Sequence, residues 1–195
     1  MTFDWHAVVG VLSGVVQIGS VIPYIRDMLK GTTRPNIVSW SLWTLLQVIA
    51  IGAQISAGAS WSLLFIVAMT FNTILVVILS ATGYGYKGYS WVDWTCLFFA
   101  IAAIVLWWAT RNSIFALVLA VSADLLASIP TIVKTYKEPQ SETAVAWYLV
   151  TVASALGILS TTKIDIANLI YPIYFFIITG SIGSLAFFGQ RFQKN

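Results

Sequence analysis

The stretch from Ile22-Pro23-Tyr24-Ile25 to Trp40-Ser41-Leu42-Trp43-Thr44 returns later in the chain. Its second copy runs from Ile129-Pro130-Thr131-Ile132 to Trp147-Tyr148-Leu149-Val150-Thr151, at a fixed offset of 107 residues. Without a gap, Ile22 aligns with Ile129, Pro23 with Pro130, Ile25 with Ile132, Lys30 with Lys137, Val38 with Val145, Trp40 with Trp147, Leu42 with Leu149 and Thr44 with Thr151. Proline and tryptophan are scarce residues, so their joint recurrence marks a duplicated unit. In a strongly apolar chain such a duplication points to a membrane protein built from two halves.

The composition agrees. The chain is 59% hydrophobic and 9% charged, with a mean hydropathy of +0.88, whereas soluble domains carry roughly 25% charged residues. Its apolar runs predict seven spans at about 7–25, 37–58, 61–82, 94–110, 112–133, 143–162 and 166–189. Each is near the ~20 residues a helix needs to cross a hydrocarbon core. Between Arg34 and Lys87 no charge occurs, and Ser56-Ala57-Gly58-Ala59-Ser60 supplies the turn that splits this stretch into two spans. Uninterrupted runs, rather than alternation, argue against strands.

With seven spans, successive loops alternate sides. One side collects Arg26, Lys30, Arg34, Lys87, Lys134, Lys137, Arg191 and Lys194, and the other holds Arg111 and Lys163. The positive-inside rule then places the N-terminus outside and the C-terminus in the cytoplasm of a plasma membrane, in a bacterium the inner one. Tryptophans form belts consistent with this, with Trp40, Trp43, Trp91, Trp94 and Trp147 near inner span ends and Trp5, Trp61, Trp107 and Trp108 near outer ones. The positive net charge is a topology signal, and no nucleic-acid partner is expected. The single cysteine, Cys96, precludes an intramolecular disulfide. The first span is expected to act as its own insertion signal.

Three is an odd number, so two three-span units joined directly would be inverted. A fourth, unpaired span restores their direction. The predicted fold is therefore an all-α membrane protein with seven transmembrane helices in a 3+1+3 arrangement of two parallel three-helix repeats. Residues 1–86 form the first repeat, 87–111 the linker helix and 112–195 the second repeat.

The second copy, Pro130-Thr131-Ile132-Val133-Lys134-Thr135-Tyr136-Lys137 followed by Ser141-Glu142-Thr143, resembles the PQ-loop motif. That motif is a proline-glutamine pair late in the first helix of a three-helix unit, followed by a basic loop. With the span number and repeat symmetry, the chain is similar to the superfamily that includes SWEET sugar transporters, cystinosin-like amino-acid transporters and vitamin transporters of the PnuC type. The motif glutamine is replaced by Tyr24 in one copy and Thr131 in the other, and the literal pair Pro139-Gln140 lies in the loop. No subfamily is therefore assigned.

The repeat also aligns polar residues in depth. Gln17 in span one pairs with Asp124 in span five, Gln47 in span two with Ser154 in span six, and Asn72 in span three with Thr179 in span seven. All six stand near mid-span, where an ionised carboxylate costs at least ~2.5–3.5 kcal/mol on insertion scales and must face protein or water. A transporter needs its site at that depth, between the halves. Asp124, Asn72, Gln17, Gln47, Thr179 and Ser154 are thus the candidate substrate-binding residues, with Asp124 the leading one, either recognising a cationic group or coupling transport to protons. Their bland alternative is interhelical hydrogen bonding. The resemblance to SWEET-like transporters implies a substrate-facing role for Asn72, and a hinge role for the matched prolines Pro23 and Pro130. Those transporters also carry a tryptophan on the second helix of each unit near the asparagine depth, and none stands there in spans two or six.

The expected function is alternating-access transport of a small polar solute, proton-coupled through Asp124 in one version. The alternative is a non-transporting membrane receptor or assembly factor on the same scaffold, as KDEL-type retrieval receptors illustrate. The expected partners are the small-molecule substrate and the lipid bilayer, with a homo-oligomer compatible. An enzyme is not expected, nor are a cofactor or a metal. The only histidine, His6, lies near the N-terminus, and no nucleophile–base pairing is visible. A retinal protein is excluded by the lack of a lysine between Lys163 and Lys194.

Overall fold

A computed structural model describes residues 4–33, 35, 37–85, 91–110 and 112–192. Arg34, Lys87, Arg111 and Lys194 of the charge argument lie outside the described residues, as do the side chains of Cys96, Trp107, Pro130 and Lys134. Among the described residues there is no strand. The long helices are α1 (Trp5–Leu29), α2 (Ile37–Ser56), α3 (Leu63–Leu79), α4 (Trp91–Thr110), α5 (Ser113–Lys137), α6 (Ala144–Leu159) and α7 (Ile166–Phe192). A π-helical turn, Ser80–Tyr84, extends α3, and a 3₁₀ turn, Pro139–Ser141, precedes α6.

Four segments are long and apolar enough to cross a membrane: Trp5–Leu29, Leu63–Tyr84, Ile114–Lys137 and Ile166–Phe192. Helices α2 and α6 contribute the shorter apolar segments Trp40–Ser56 and Ala144–Leu159. By helix length and composition the chain is a membrane protein.

The helices are amphipathic in the inverted sense. On α1 the residues Ser13, Gln17, Ser20 and Tyr24, three and four apart, are buried, while Val11, Val15, Ile18 and Ile22 are exposed. On α5 the buried stripe is Ala116, Ala120, Ala123, Asp124, Ala127 and Ser128, and Phe115, Val118, Leu125 and Ile129 face outward. Small inward residues let backbones approach, because packing rather than hydrophobic exclusion holds helices together in lipid. Gly10 shows how close this becomes: a Cβ there would stand 2.9 Å from both Cβ and the carbonyl oxygen of Trp61. Gly157 packs α6 closely onto Phe65, whose Cβ would stand 3.2 Å from a Cβ added there.

Around the bundle, α1 packs on α3, α3 on α2, α2 on α5, α5 on α7, α7 on α6, and α6 back on α1. Six helices thus close a ring, and α4 lies outside it against α5 and α2. At one end, here the Trp61 end, the α2–α3 and α6–α7 connections are cross-linked. Ser60 N donates to Asn168 Oδ1 (2.9 Å), Ser62 Oγ to the Asn168 carbonyl (3.3 Å), and Lys163 Nζ to the Gly58 carbonyl (3.0 Å). Asp4 caps α1 through the amides of His6 and Ala7 and also accepts from the Trp61 indole at 3.0 Å. At the opposite, Trp147 end, Thr143 Oγ1 donates to Asp27 Oδ2 (2.6 Å) across α1 and α6, and Trp147 Nε1 donates to Glu142 Oε2 (2.9 Å).

Candidate functional site

Helices α1 and α3 run side by side in the same direction, since Gly10 meets Trp61, Gln17 meets Met69 and Asn72 meets Ser20. That register brings two of the sequence-derived residues together. Asn72 Nδ2 donates to the Gln17 carbonyl oxygen at 2.5 Å and to Ser20 Oγ at 3.3 Å, while Gln17 Nε2 donates to Met69 Sδ at 2.8 Å. On α2, Gln47 Oε1 accepts from Thr73 Oγ1 at 3.0 Å. In the other half, Thr179 Oγ1 donates to the Phe175 carbonyl and lies 2.9 Å from Thr151 Oγ1.

Asp124 is different. It is 1% exposed, and neither of its carboxylate oxygens has a partner at hydrogen-bond geometry. The Tyr174 hydroxyl stands beside it but is 2.9 Å from Ser128 Oγ, and Ser128 in turn donates to the Asp124 backbone carbonyl at 2.9 Å. Buried charge without a partner is costly, so an arrangement that keeps Asp124 bare calls for a chemical reason.

The reason is spatial. Gln17, Gln47, Asn72, Asp124 and Thr179 all line one cavity at the centre of the ring. Ser154 is the exception: it is fully buried, but its hydroxyl donates to the Thr151 carbonyl at 2.8 Å and it is absent from the lining. The cavity measures about 60 Å³, room for on the order of five waters at ~10–15 Å³ each. Toward the Trp61 end it is stopped by Phe175, packed edge-on against Phe65 at 5.7 Å and backed by the fully buried Tyr171. Toward the Trp147 end its walls are aromatic. Tyr24 contacts Trp40 at 5.1 Å between ring centroids, Trp40 contacts Trp43 at 5.3 Å, and Trp147 completes the lining.

Several of these residues escaped the depth argument. Trp43 lies one helical turn before Gln47, Ser128 one turn after Asp124, and Met69 three residues before Asn72, so helical spacing from the polar residues was the available signal. Trp40, Trp43 and Trp147 line the cavity about one to two helical turns from Gln47 and Ser154, toward the Trp147 end. Pro23 lies inside α1, half-buried one residue before the lining residue Tyr24, and α5 runs through position 130. Pro172 likewise lies inside α7, which continues through it. Asp27 pairs with its neighbour Arg26 at 3.1 Å as well as with Thr143.

The chain matches no protein-family model, no curated protein and no solved structure.

Proposed function

We propose that this protein is a seven-helix transporter of a small polar solute, built 3+1+3 from two parallel three-helix repeats of the PQ-loop, SWEET-like kind. The observation that carries the proposal is the central cavity, where five of the six repeat-matched polar residues converge, one of them the unpartnered buried carboxylate of Asp124. The ring of contacts supports the two-repeat reading. Shifting by 107 residues turns α1, α2 and α3 into α5, α6 and α7, and each packing pair becomes another pair of the ring: α1–α3 becomes α5–α7, α2–α3 becomes α6–α7, and the α1–α6 contact matches α5–α2. Only α4 has no counterpart.

In this reading the halves rock about the cavity. The Phe65–Phe175–Tyr171 block and the cross-linked loops close the outer side, and the Tyr24–Trp40–Trp43 cluster with the Asp27–Thr143 contact closes the cytoplasmic side. Asp124 recognises charge on the solute or couples its passage to protons, Asn72, Gln17, Gln47 and Thr179 supply polar contacts, and the missing amide protons of Pro23 and Pro130, inside otherwise continuous helices, give the first helix of each repeat its hinge. Opening one side while the other stays closed exposes the same site to each compartment in turn.

The test is a thermal-shift screen of sugars, amino acids, amines and vitamins at two pH values, followed by uptake of each hit into proteoliposomes. Saturable uptake above protein-free vesicles is expected. A solute that binds but never crosses would replace the transporter with the receptor reading.

A further inference from the structure

We infer that the central cavity selects a small organic cation rich in N–H donors, of the amine or guanidinium class. This rests on the cavity being the solute site and adds the chemistry of the solute. The fully buried, unpartnered side-chain atoms of its described lining residues are Gln17 Oε1, Asn72 Oδ1, both carboxylate oxygens of Asp124, and Trp43 Nε1. Four are acceptors and one is a donor. The orientation of the Asn72 amide follows from its neighbours: its nitrogen faces the Gln17 carbonyl, which can only accept, so the oxygen is the free end. Gln17 is oriented in the same way, by the Met69 thioether.

No lysine, arginine or histidine is among the described lining residues. An anionic or zwitterionic solute would therefore bring a second negative group next to Asp124 with no cation to meet it. A neutral polyol could satisfy the amide oxygens but would leave the Asp124 charge buried and uncompensated. A cation bearing several N–H groups does both. The aromatic walls add to the match, since Trp40, Trp43 and Trp147 present the ring type that holds cations best. The small volume favours a compact head group over a sugar ring.

Guanidinium, urea and nitrate share one flat three-armed shape and differ in charge, being positive, neutral and negative. Labelled guanidinium and urea are followed into proteoliposomes, and all three are compared, at millimolar concentration and constant ionic strength, for their shift of the unfolding midpoint of the purified protein. Guanidinium should enter at least ~tenfold faster than urea and alone raise the midpoint, because a charge-assisted hydrogen bond to Asp124 is available only to it. Asp124→Asn should abolish both effects, and Asp124→Glu should keep part of them. Equal handling of guanidinium and urea, stabilisation by nitrate, or indifference of the wild-type protein to guanidinium overturns the inference. If a neutral solute is transported while guanidinium is ignored, the cation inference fails and transport stands. If guanidinium stabilises the protein but nothing crosses, the cation site stands and transport fails.

Discussion

On the α1–α3 side of the cavity, Gln17 and Asn72 are held through their amide nitrogens, the Asn72 nitrogen on the Gln17 carbonyl and Ser20 and the Gln17 nitrogen on Met69, while their side-chain oxygens have no partner. On the α5–α7 side the repeat-matched positions carry Asp124 and Thr179. Thr179 is fixed by Phe175 and Thr151, but neither Asp124 carboxylate oxygen has a partner at hydrogen-bond geometry, the Tyr174 hydroxyl standing beside it. The same depth and the same place in the ring are thus used in two ways. One half holds its two amides through their nitrogens, and the other presents a carboxylate to the cavity with no partner at hydrogen-bond geometry. Removing a positioned amide should therefore disturb the fold, whereas neutralising the free carboxylate should disturb function.

Asp124→Asn carries the largest expected effect. Uptake should fall by at least about tenfold, the loss of one charged hydrogen bond, while the thermal midpoint stays level or rises, because a bare buried charge has been removed. A clear drop in midpoint would show that Asp124 is structural. The exchange Gln17→Asp with Asp124→Gln moves the charge across the pseudo-symmetry axis. It should recover part of the uptake lost in Asp124→Gln alone, measured in the same vesicles, and no recovery would mean that the second half is chemically unique. Asn72→Ala reverses the pattern: the buried Gln17 carbonyl loses one of its donors, keeping Ser20 Oγ, and Ser20 loses the Asn72 amide, lowering unfolding stability by about 1–3 kcal/mol, with a smaller loss of uptake than in Asp124→Asn. Thr179→Val should cost the least, about 0.5–1.5 kcal/mol for one hydroxyl, read as a small drop in midpoint.

Helix positions were legible because each span is a run of apolar residues bounded by charge or glycine, and most ends of α1 to α7 fall within a few residues of the expected spans. The repeat offset carried depth, and Gln17, Gln47, Asn72, Asp124 and Thr179, which it singled out, line one cavity. Depth is not direction around the helix, and Ser154 shows the difference. It lies at the right level, yet its hydroxyl turns back to the Thr151 carbonyl, as serines in apolar helices commonly do. The aromatic walls were hidden for a related reason. Trp40, Trp43 and Trp147 sit near helix ends, where tryptophan usually anchors a membrane face, and only the ring of contacts turns them inward. Gln54, fully buried with both amide atoms unpartnered, was not singled out, although the 107-residue offset pairs it with the buried Thr161.

The most direct test of transport around Asp124 is solute counterflow in proteoliposomes. Wild-type and Asp124→Asn proteins, matched for unfolding midpoint and reconstituted at equal density, are challenged with each small polar solute that stabilises the wild type. The account predicts saturable counterflow by the wild type and none above protein-free vesicles by the variant. Equal counterflow by the two proteins, or none by either while the solute still binds, would contradict it.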